Sequence, residues 1–457
     1  MSTNAPTLEI TASESPPLED TARRNFEFVK VLWILYLFAP VKLITFYIPA
    51  ARPLSWIPEL LLWYCTVQRL RSPRPRIGFP AYTRFMVLFI FGTGVAAVLG
   101  NWEVGVETLR QMYQPYLLGL VTMTFCTTPK RAQQILGLYF GSFLWFGIWG
   151  LISLKISPIA ADVDPGGRII VAWHLSYSNR DAFGPLMVAG LAYSIYYLQA
   201  NRVIKTRTRS LWAALSMGLC ALGFVTSFGR GAFLGFLAAA TSMWLRSRRK
   251  IAMLMGILLA VGAFSLAAPQ LMSRYVANLQ TITGEGMQSG TGADRAALWG
   301  IAWREFLSSP IVGVGTYNYG VAGPRALAPE EVTAGGYTSG RLWGRAVHSA
   351  PMTILAEYGL VGVVVTLLVL VDFFRTNRRI RVNAAARQDV GQSGGFPPGY
   401  VIAIAYGLHA AFLAFCVSSI FYELFYTPLL WNVIVLNRVL HFCSGGNVDT
   451  QSAAAAT

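Results

Sequence analysis

Residues 251–268 read IAMLMGILLAVGAFSLAA, a run without one charged side chain that directly follows the basic run RSRRK at 246–250. A helix of about 20 apolar residues crosses the ~30 Å hydrocarbon layer of a bilayer. Inside that layer every backbone polar group must be bonded internally, which favours a helix over an open strand. The run therefore predicts a membrane-spanning helix with positive charge at its N-terminal side.

Similar apolar runs recur along the chain, so the predicted fold class is an all-α integral membrane protein with about 12 transmembrane helices. Of the 457 residues 54% are hydrophobic and only 13% are charged, and the mean hydropathy is +0.48, which excludes an ordinary soluble protein. The predicted spans are 28–48, 54–67, 85–99, 109–125, 135–154, 183–198, 211–225, 231–245, 251–268, 353–374, 401–420 and 424–440.

Basic residues are concentrated in alternate connections between these spans, which hold 23 of the 37 Lys and Arg residues. Short loops rich in Lys and Arg stay in the cytoplasm during insertion. The net charge of +16 therefore indicates membrane topology, and no nucleic-acid partner is expected. The basic connections are 23–30, 69–84, 130–131, 202–209, 246–250 and 375–387.

This alternation predicts three regions and one large loop. Residues 1–27 and 443–457 are predicted as disordered cytoplasmic tails, and 28–442 as a polytopic membrane domain. The segment 269–349, between the ninth and tenth helices, is predicted to lie outside the cytoplasm. Five cysteines are scattered singly without a CxxC pair, so neither a disulfide framework nor a zinc site is indicated.

Arginine is the only basic residue type in the external segment 269–349, which contains six arginines and no lysine. A guanidinium group grips phosphate oxygens with two parallel hydrogen bonds and stays charged when partly buried. The alternative is an ordinary solvated loop. The use of arginine without lysine favours a phosphate-binding site on the external side.

Two further side chains lie at the external helix ends. Arg230 occupies the short turn before the eighth predicted helix, where a charge either faces a cavity or extends to the membrane surface. His348 precedes the tenth predicted helix and can exchange a proton near neutral pH, although a structural role is the alternative. Glu357 follows on that helix.

Read in order, these residues resemble the O-antigen ligase and polymerase superfamily. The resemblance covers 226–362 and gives a ligase-like core at about 183–374. Two positions depart from the usual pattern, since Gly229 stands where Ser is common and Ser349 where Asn is common. The matching elements are Arg230 in SFGRGA (227–232), Asp294-Arg295 with Leu298-Trp299, SPIVGVG (309–315), His348 and EYGLVG (357–362).

The resemblance implies a metal-independent glycosyltransferase at the periplasmic face of a bacterial inner membrane, with no cofactor. It would take a glycan from undecaprenyl pyrophosphate and join it to a glycan or lipid A core acceptor. Arg230 and Arg295 would bind the pyrophosphate, and His348 would activate or orient the acceptor hydroxyl. Arg304 and Arg345 would be additional substrate contacts.

The external loop 155–181 supplies further candidates. A corresponding family loop often has an Arg and an Asn before the next helix, so Arg168 and Asn179 are carried over as substrate-binding residues. Asp162 and Asp164 form an Asp-x-Asp pair of the kind that holds divalent cations. They stand beside Pro-Gly-Gly, which favours turn chemistry instead.

Two other classes of function remain open. A transporter of lipid-linked glycans would need intramembrane charges, for which Lys42, Glu59, Arg110 and His409 are the candidates. A structural scaffold has no need for an arginine-only external segment that ends in histidine. Within the enzyme class, the residues do not separate a ligase from a polymerase.

Overall fold

The computed structural model describes residues 16–72, 80–99, 102–156, 180–227, 229–267, 290–325, 346–389 and 396–444, together with 269, 273 and 276. These residues form helices and turns and contain no strand. The α-helices are α1 Pro16–Leu37, α2 Pro40–Tyr47, α3 Trp56–Arg71, α4 Pro80–Val98, α5 Trp102–Phe125, α6 Pro129–Ile156, α7 Arg180–Val203, α8 Arg207–Ser227, α9 Arg230–Arg246, α10 Lys250–Ala267, α11 Gly290–Ser308, α12 Tyr319–Arg325, α13 Ala350–Asp389, α14 Pro398–Ser418 and α15 Pro428–Cys443.

The first predicted span, 28–48, is broken near its middle. Helix α1 ends at Leu37 and α2 begins at Pro40, with Ala39 left-handed at φ 46°. The break has a local cause, because a proline ring disfavours helical geometry in the residue before it. Helix α1 also begins at Pro16, so part of the segment predicted as a disordered tail, residues 16–27, is helical.

Three described helices are long and apolar enough to cross a membrane by themselves: Arg207–Ser227, Ala350–Gln388 and Pro398–Phe421. Shorter apolar helices occur at Tyr82–Val98 and Leu430–Cys443. The all-α membrane class is therefore confirmed. The number of about twelve spans, and the placement of 269–349 on the external side, stay predictions.

Helix α14 lies at the centre of the bundle and packs against α7, α9 and α13. Its buried residues include many small side chains, such as Ala403, Gly407 and Ala411, which let the neighbouring helices approach closely. Helix α11, from the predicted external segment, packs on the first turns of α13 through a separate small cluster that includes Leu298, Ile301 and Val347. The large bundle core and this smaller cluster meet where α13 begins.

Candidate active site

His348 stands directly before α13 in a left-handed backbone conformation, with φ 56°. That conformation costs an L-residue roughly 1–2 kcal/mol and persists where the surroundings impose it. Both neighbours are fixed, since Val347 is 1% exposed and Ser349 is 2% exposed. His348 as a whole is only partly buried, so its backbone is held while part of the residue stays accessible.

Glu423, which lies much later in the sequence, binds the backbone of the segment that carries His348. Its carboxylate accepts hydrogen bonds from the backbone N–H groups of Val347 and His348. The hydroxyl of Thr353 lies 2.9 Å from Glu423 Oε1 and 2.9 Å from the carbonyl oxygen of Ser349. Burial raises the pKa of Glu423, and these donors lower it again in part.

The residues beside Glu423 complete a turn between α14 and α15, here called the 421–423 turn. The rings of Tyr422 and His348 are nearly parallel, with centroids 6.2 Å apart. The ring of Phe421 lies 6.0 Å from the indole of Trp299 on α11. The 421–423 turn therefore joins α11 to the segment that carries His348.

Arg230 begins α9 on the other side of the same turn. A Cβ atom on the next residue, Gly231, would lie 3.3 Å from the Cβ of Phe421. The hydroxyl of Ser418 donates to the carbonyl oxygen of Gly231 at 3.0 Å. Because the first N–H groups of a helix have no intrahelical partners, this end of α9 adds partial positive charge to that of Arg230.

Arg295 lies one helical turn before Trp299 on α11, and residues four apart share one side of a helix. It is therefore on the side of α11 that contacts the 421–423 turn. Arg304 follows nine residues later, which places it on the opposite, exposed side. The structure thus brings Arg230, Arg295 and His348 around one turn and leaves Arg304 away from it.

The remaining predicted contacts, Arg168, Asn179 and Arg345, lie outside the described residues, as do Asp162 and Asp164. The connection that contains Tyr422 and Glu423 appears in the sequence only as a short acidic link between two spans. An isolated carboxylate after two aromatic residues at a helix end was the available signal for Glu423. Its partners are 70 or more residues away, so no local pattern revealed the contact.

The glycine motifs form a backbone clasp, defined here as 309–316 paired with 356–361. The N–H groups of Val314 and Gly315 donate to the carbonyl oxygens of Ala356 and Glu357, respectively, each at 2.9 Å. In the other direction, the N–H of Leu360 donates to the carbonyl oxygen of Pro310 at 2.9 Å. Gly313 and Gly359 have φ values of +70° and +56°. These motif residues therefore fix the backbone, and they do not by themselves supply chemistry.

The clasp also reaches α4. The N–H of Thr316 donates to the Gly92 carbonyl at 3.0 Å, and the Thr316 hydroxyl donates to the Phe89 carbonyl at 3.2 Å. Gly92 and Ala356 each lie about 9 Å inside the ends of their helices. Part of the segment predicted as an external loop therefore packs between helices, where irregular backbone is tolerated because protein surrounds it.

Two buried carboxylates lie on α11 and α13, the helices beside this site. Glu305 is 4% exposed and Glu357 is 3% exposed. Burial, followed by the charges of Glu423, Glu305 and Glu357, raises the pKa of Tyr319. Within the described residues, no group of three or more His, Cys, Asp or Glu side chains is arranged to hold a metal ion.

Residues 215–367, about a third of the chain, match the family model described as O-antigen ligase. This segment is similar to the O-antigen ligase family. The resemblance predicted from the motifs is thereby confirmed. Among curated proteins, no match to the chain was found.

The matched segment contains Arg230, Arg295, both halves of the clasp and His348. The match indicates a segment of the ligase or polymerase type of glycosyltransferase. The 421–423 turn lies beyond the matched segment. The site is therefore completed by helices that the family model does not cover.

Proposed function

We propose that the protein transfers a glycan from undecaprenyl pyrophosphate to a sugar acceptor at the periplasmic face of a bacterial inner membrane, with both termini in the cytoplasm. The acceptor is a lipid A core, as in a ligase, or another repeat unit of O-antigen or exopolysaccharide, as in a polymerase. The proposal is supported by three contacts with the 421–423 turn, made by Gly231 beside Arg230, by Trp299 one turn after Arg295, and by His348.

The two arginines serve the leaving group in this mechanism. When the bond between the anomeric carbon and the phosphate oxygen breaks, its electron pair stays on the pyrophosphate and adds negative charge. Fixed guanidinium groups meet that charge without reorganising, and the N-terminus of α9 adds to their effect. Because the positive charge comes from side chains, the proposed reaction is metal-independent.

His348 serves the acceptor. The acceptor hydroxyl loses its proton as it attacks the anomeric carbon, and a neutral imidazole within hydrogen-bond reach can take that proton. Glu423 keeps the ring in place through the backbone of Val347 and His348. Direct attack on the face opposite the leaving group inverts the anomeric centre.

The rival transporter proposal gains no support from the described residues. Glu59 accepts hydrogen bonds from Tyr113 at 2.5 Å and from Gln114, so its carboxylate connects α3 to α5. His409 Nε2 lies 2.7 Å from a guanidinium nitrogen of Arg246. The side chains of Lys42 and Arg110 lie outside the described part of the chain.

The decisive experiment is glycan transfer in proteoliposomes with an undecaprenyl-pyrophosphate oligosaccharide, a candidate acceptor and a metal chelator. We expect release of undecaprenyl pyrophosphate together with a longer acceptor. Addition of one whole glycan indicates a ligase, and a ladder of products indicates a polymerase. Movement of the labelled lipid-linked glycan across the bilayer, without transfer to any acceptor, would replace this proposal with the transporter.

Arg295 and Arg304 provide a matched pair on one helix. Changing Arg295 to alanine is expected to lower the rate of transfer by about 100-fold or more, because a donor to the developing charge is lost. Arg304→Ala removes the same charge from the exposed side of α11 and should change the rate less than about threefold. Equal losses in both variants would contradict a specific pyrophosphate contact at Arg295.

Thr353→Val is expected to move the acidic limb of the pH profile of transfer to higher pH. The Thr353 hydroxyl lowers the pKa of Glu423, so its loss raises that pKa further. The ionised form that holds the two N–H groups then dominates only at higher pH. Thr366→Val, on the same helix, removes a buried hydroxyl that has no hydrogen-bond partner among the described residues and should leave the pH profile in place.

A further inference from the structure

Two arginines from different helices meet one tyrosine at the end of the bundle opposite His348. The guanidinium carbon of Arg246, the last residue of α9, lies 5.2 Å from the ring centroid of Tyr406 on α14. That of Arg381, on α13, lies 4.8 Å from the same centroid. His409 lies one turn along α14 from Tyr406. These four residues are called the Arg246–Arg381 cluster.

The cluster carries two positive charges and no negative one. Arg246 donates to Ser242 and to Nε2 of His409, and Arg381 donates to the Asn377 carbonyl at 3.3 Å. Because a guanidinium group only donates, Nε2 accepts and the ring proton is on Nδ1, so His409 is neutral in this contact. Within the described side chains, neither guanidinium forms an ion pair with a carboxylate.

The nearest acidic residue on α13 toward the bundle interior is paired with a different arginine. Asp372 forms an ion pair with Arg438 of α15 at 2.6 Å. The element packed on the other side contributes Tyr196 of α7, whose ring stacks on Tyr406 with centroids 5.8 Å apart. The positive charge of the cluster is therefore not balanced from within the described bundle.

The position of the cluster corresponds to a membrane surface. The apolar run of α13 ends at Phe374, whose ring lies 5.2 Å from that of His409. Arg375, Arg378 and Arg379 follow on α13. Next to Arg246, Leu245 is 60% exposed and Trp244 is 37% exposed, so an apolar surface suited to acyl chains adjoins the charges.

We propose that the Arg246–Arg381 cluster binds the phosphate of an anionic phospholipid of the cytoplasmic leaflet. Guanidinium groups recognise phosphate oxygens through paired hydrogen bonds, and the exposed apolar residues beside them accommodate the acyl chains. The inference rests on the proposed membrane orientation and not on the transferase activity. A lipid at this position would tie α9, α13 and α14 together.

The test is lipid retention by the full-length protein in neutral detergent, measured by native mass spectrometry with phosphatidylglycerol or phosphatidylcholine. We expect preferential retention of phosphatidylglycerol, weakened about fivefold by each of Arg246→Gln and Arg381→Gln. The controls are Arg249→Gln and Arg379→Gln, which remove exposed charges from the same two basic segments. They should weaken retention less than twofold.

Several outcomes would overturn the proposal. Equal weakening in the controls would indicate diffuse surface charge, and equal retention of both lipids would exclude recognition of an anionic headgroup. Saturation by inorganic phosphate at the same affinity would identify a free anion as the ligand instead. Thermal unfolding without added lipid identifies misfolded variants, and the double Arg→Lys variant, which keeps the charge, should retain part of the preference.

Discussion

Replacing His348 with asparagine is expected to lower the rate of glycan transfer by about 10²–10⁴-fold, the range that general acid or base catalysis contributes. Asparagine tolerates the left-handed backbone found at this position, so the fold should survive. The side chain keeps hydrogen-bonding groups but cannot take a proton at neutral pH. The loss should therefore fall on the chemical step, with binding of the lipid-linked donor nearly unchanged.

The measurement is the initial rate in proteoliposomes at matched folded yield, together with binding of the donor. His348→Val serves as the contrast, because a β-branched residue is strained at positive φ and should reduce folded yield as well. If the asparagine variant keeps more than a tenth of the rate, His348 orients the acceptor and does not act as the base. If donor binding falls equally, His348 belongs to the pyrophosphate site.

Changing Gly313 to alanine is expected to destabilise the protein by about 2–5 kcal/mol, because two costs combine. Its φ of +70° is unfavourable for any residue with a Cβ atom. The new Cβ would also lie 2.3 Å from the carbonyl carbon of Glu357, a backbone atom that cannot move aside alone. We expect a marked fall in folded yield and in the melting temperature in detergent.

Gly300 on α11 is the matched control. No described residue lies within 4 Å of a Cβ atom built there, and alanine favours a helix over glycine by up to ~1 kcal/mol. Gly300→Ala should therefore leave the melting temperature unchanged or raise it slightly. Equal stability of the Gly313 and Gly300 variants would show that the clasp does not hold α13 in place.

The sequence was sufficient for the class of fold because apolar length and alternating charge act locally on each segment. The break at Ala39 and Pro40 was missed, although proline restricts the residue before it. The start of α1 at Pro16 was missed, because polar composition alone suggested a tail.

The site was only partly readable for a different reason. Motif order predicted Arg230, Arg295 and His348 as site residues, but it could not show that Glu423 contacts the backbone at His348 or that Arg304 faces away. The glycine motifs could be recognised in the sequence. The hydrogen-bond partners of residues 309–316, however, lie on α4 and α13. Long-range contacts depend on the packed bundle, which single-sequence patterns do not encode.

The 421–423 turn limits how this domain can be exchanged between relatives. A chimera that replaces only residues 215–367 would import a His348 segment and keep the host's Tyr422 and Glu423, which contact it. The imported clasp would likewise meet the host's α4 at Phe89 and Gly92. A chimera that keeps these contacts has to exchange α4, residues 215–367 and the α14–α15 connection together.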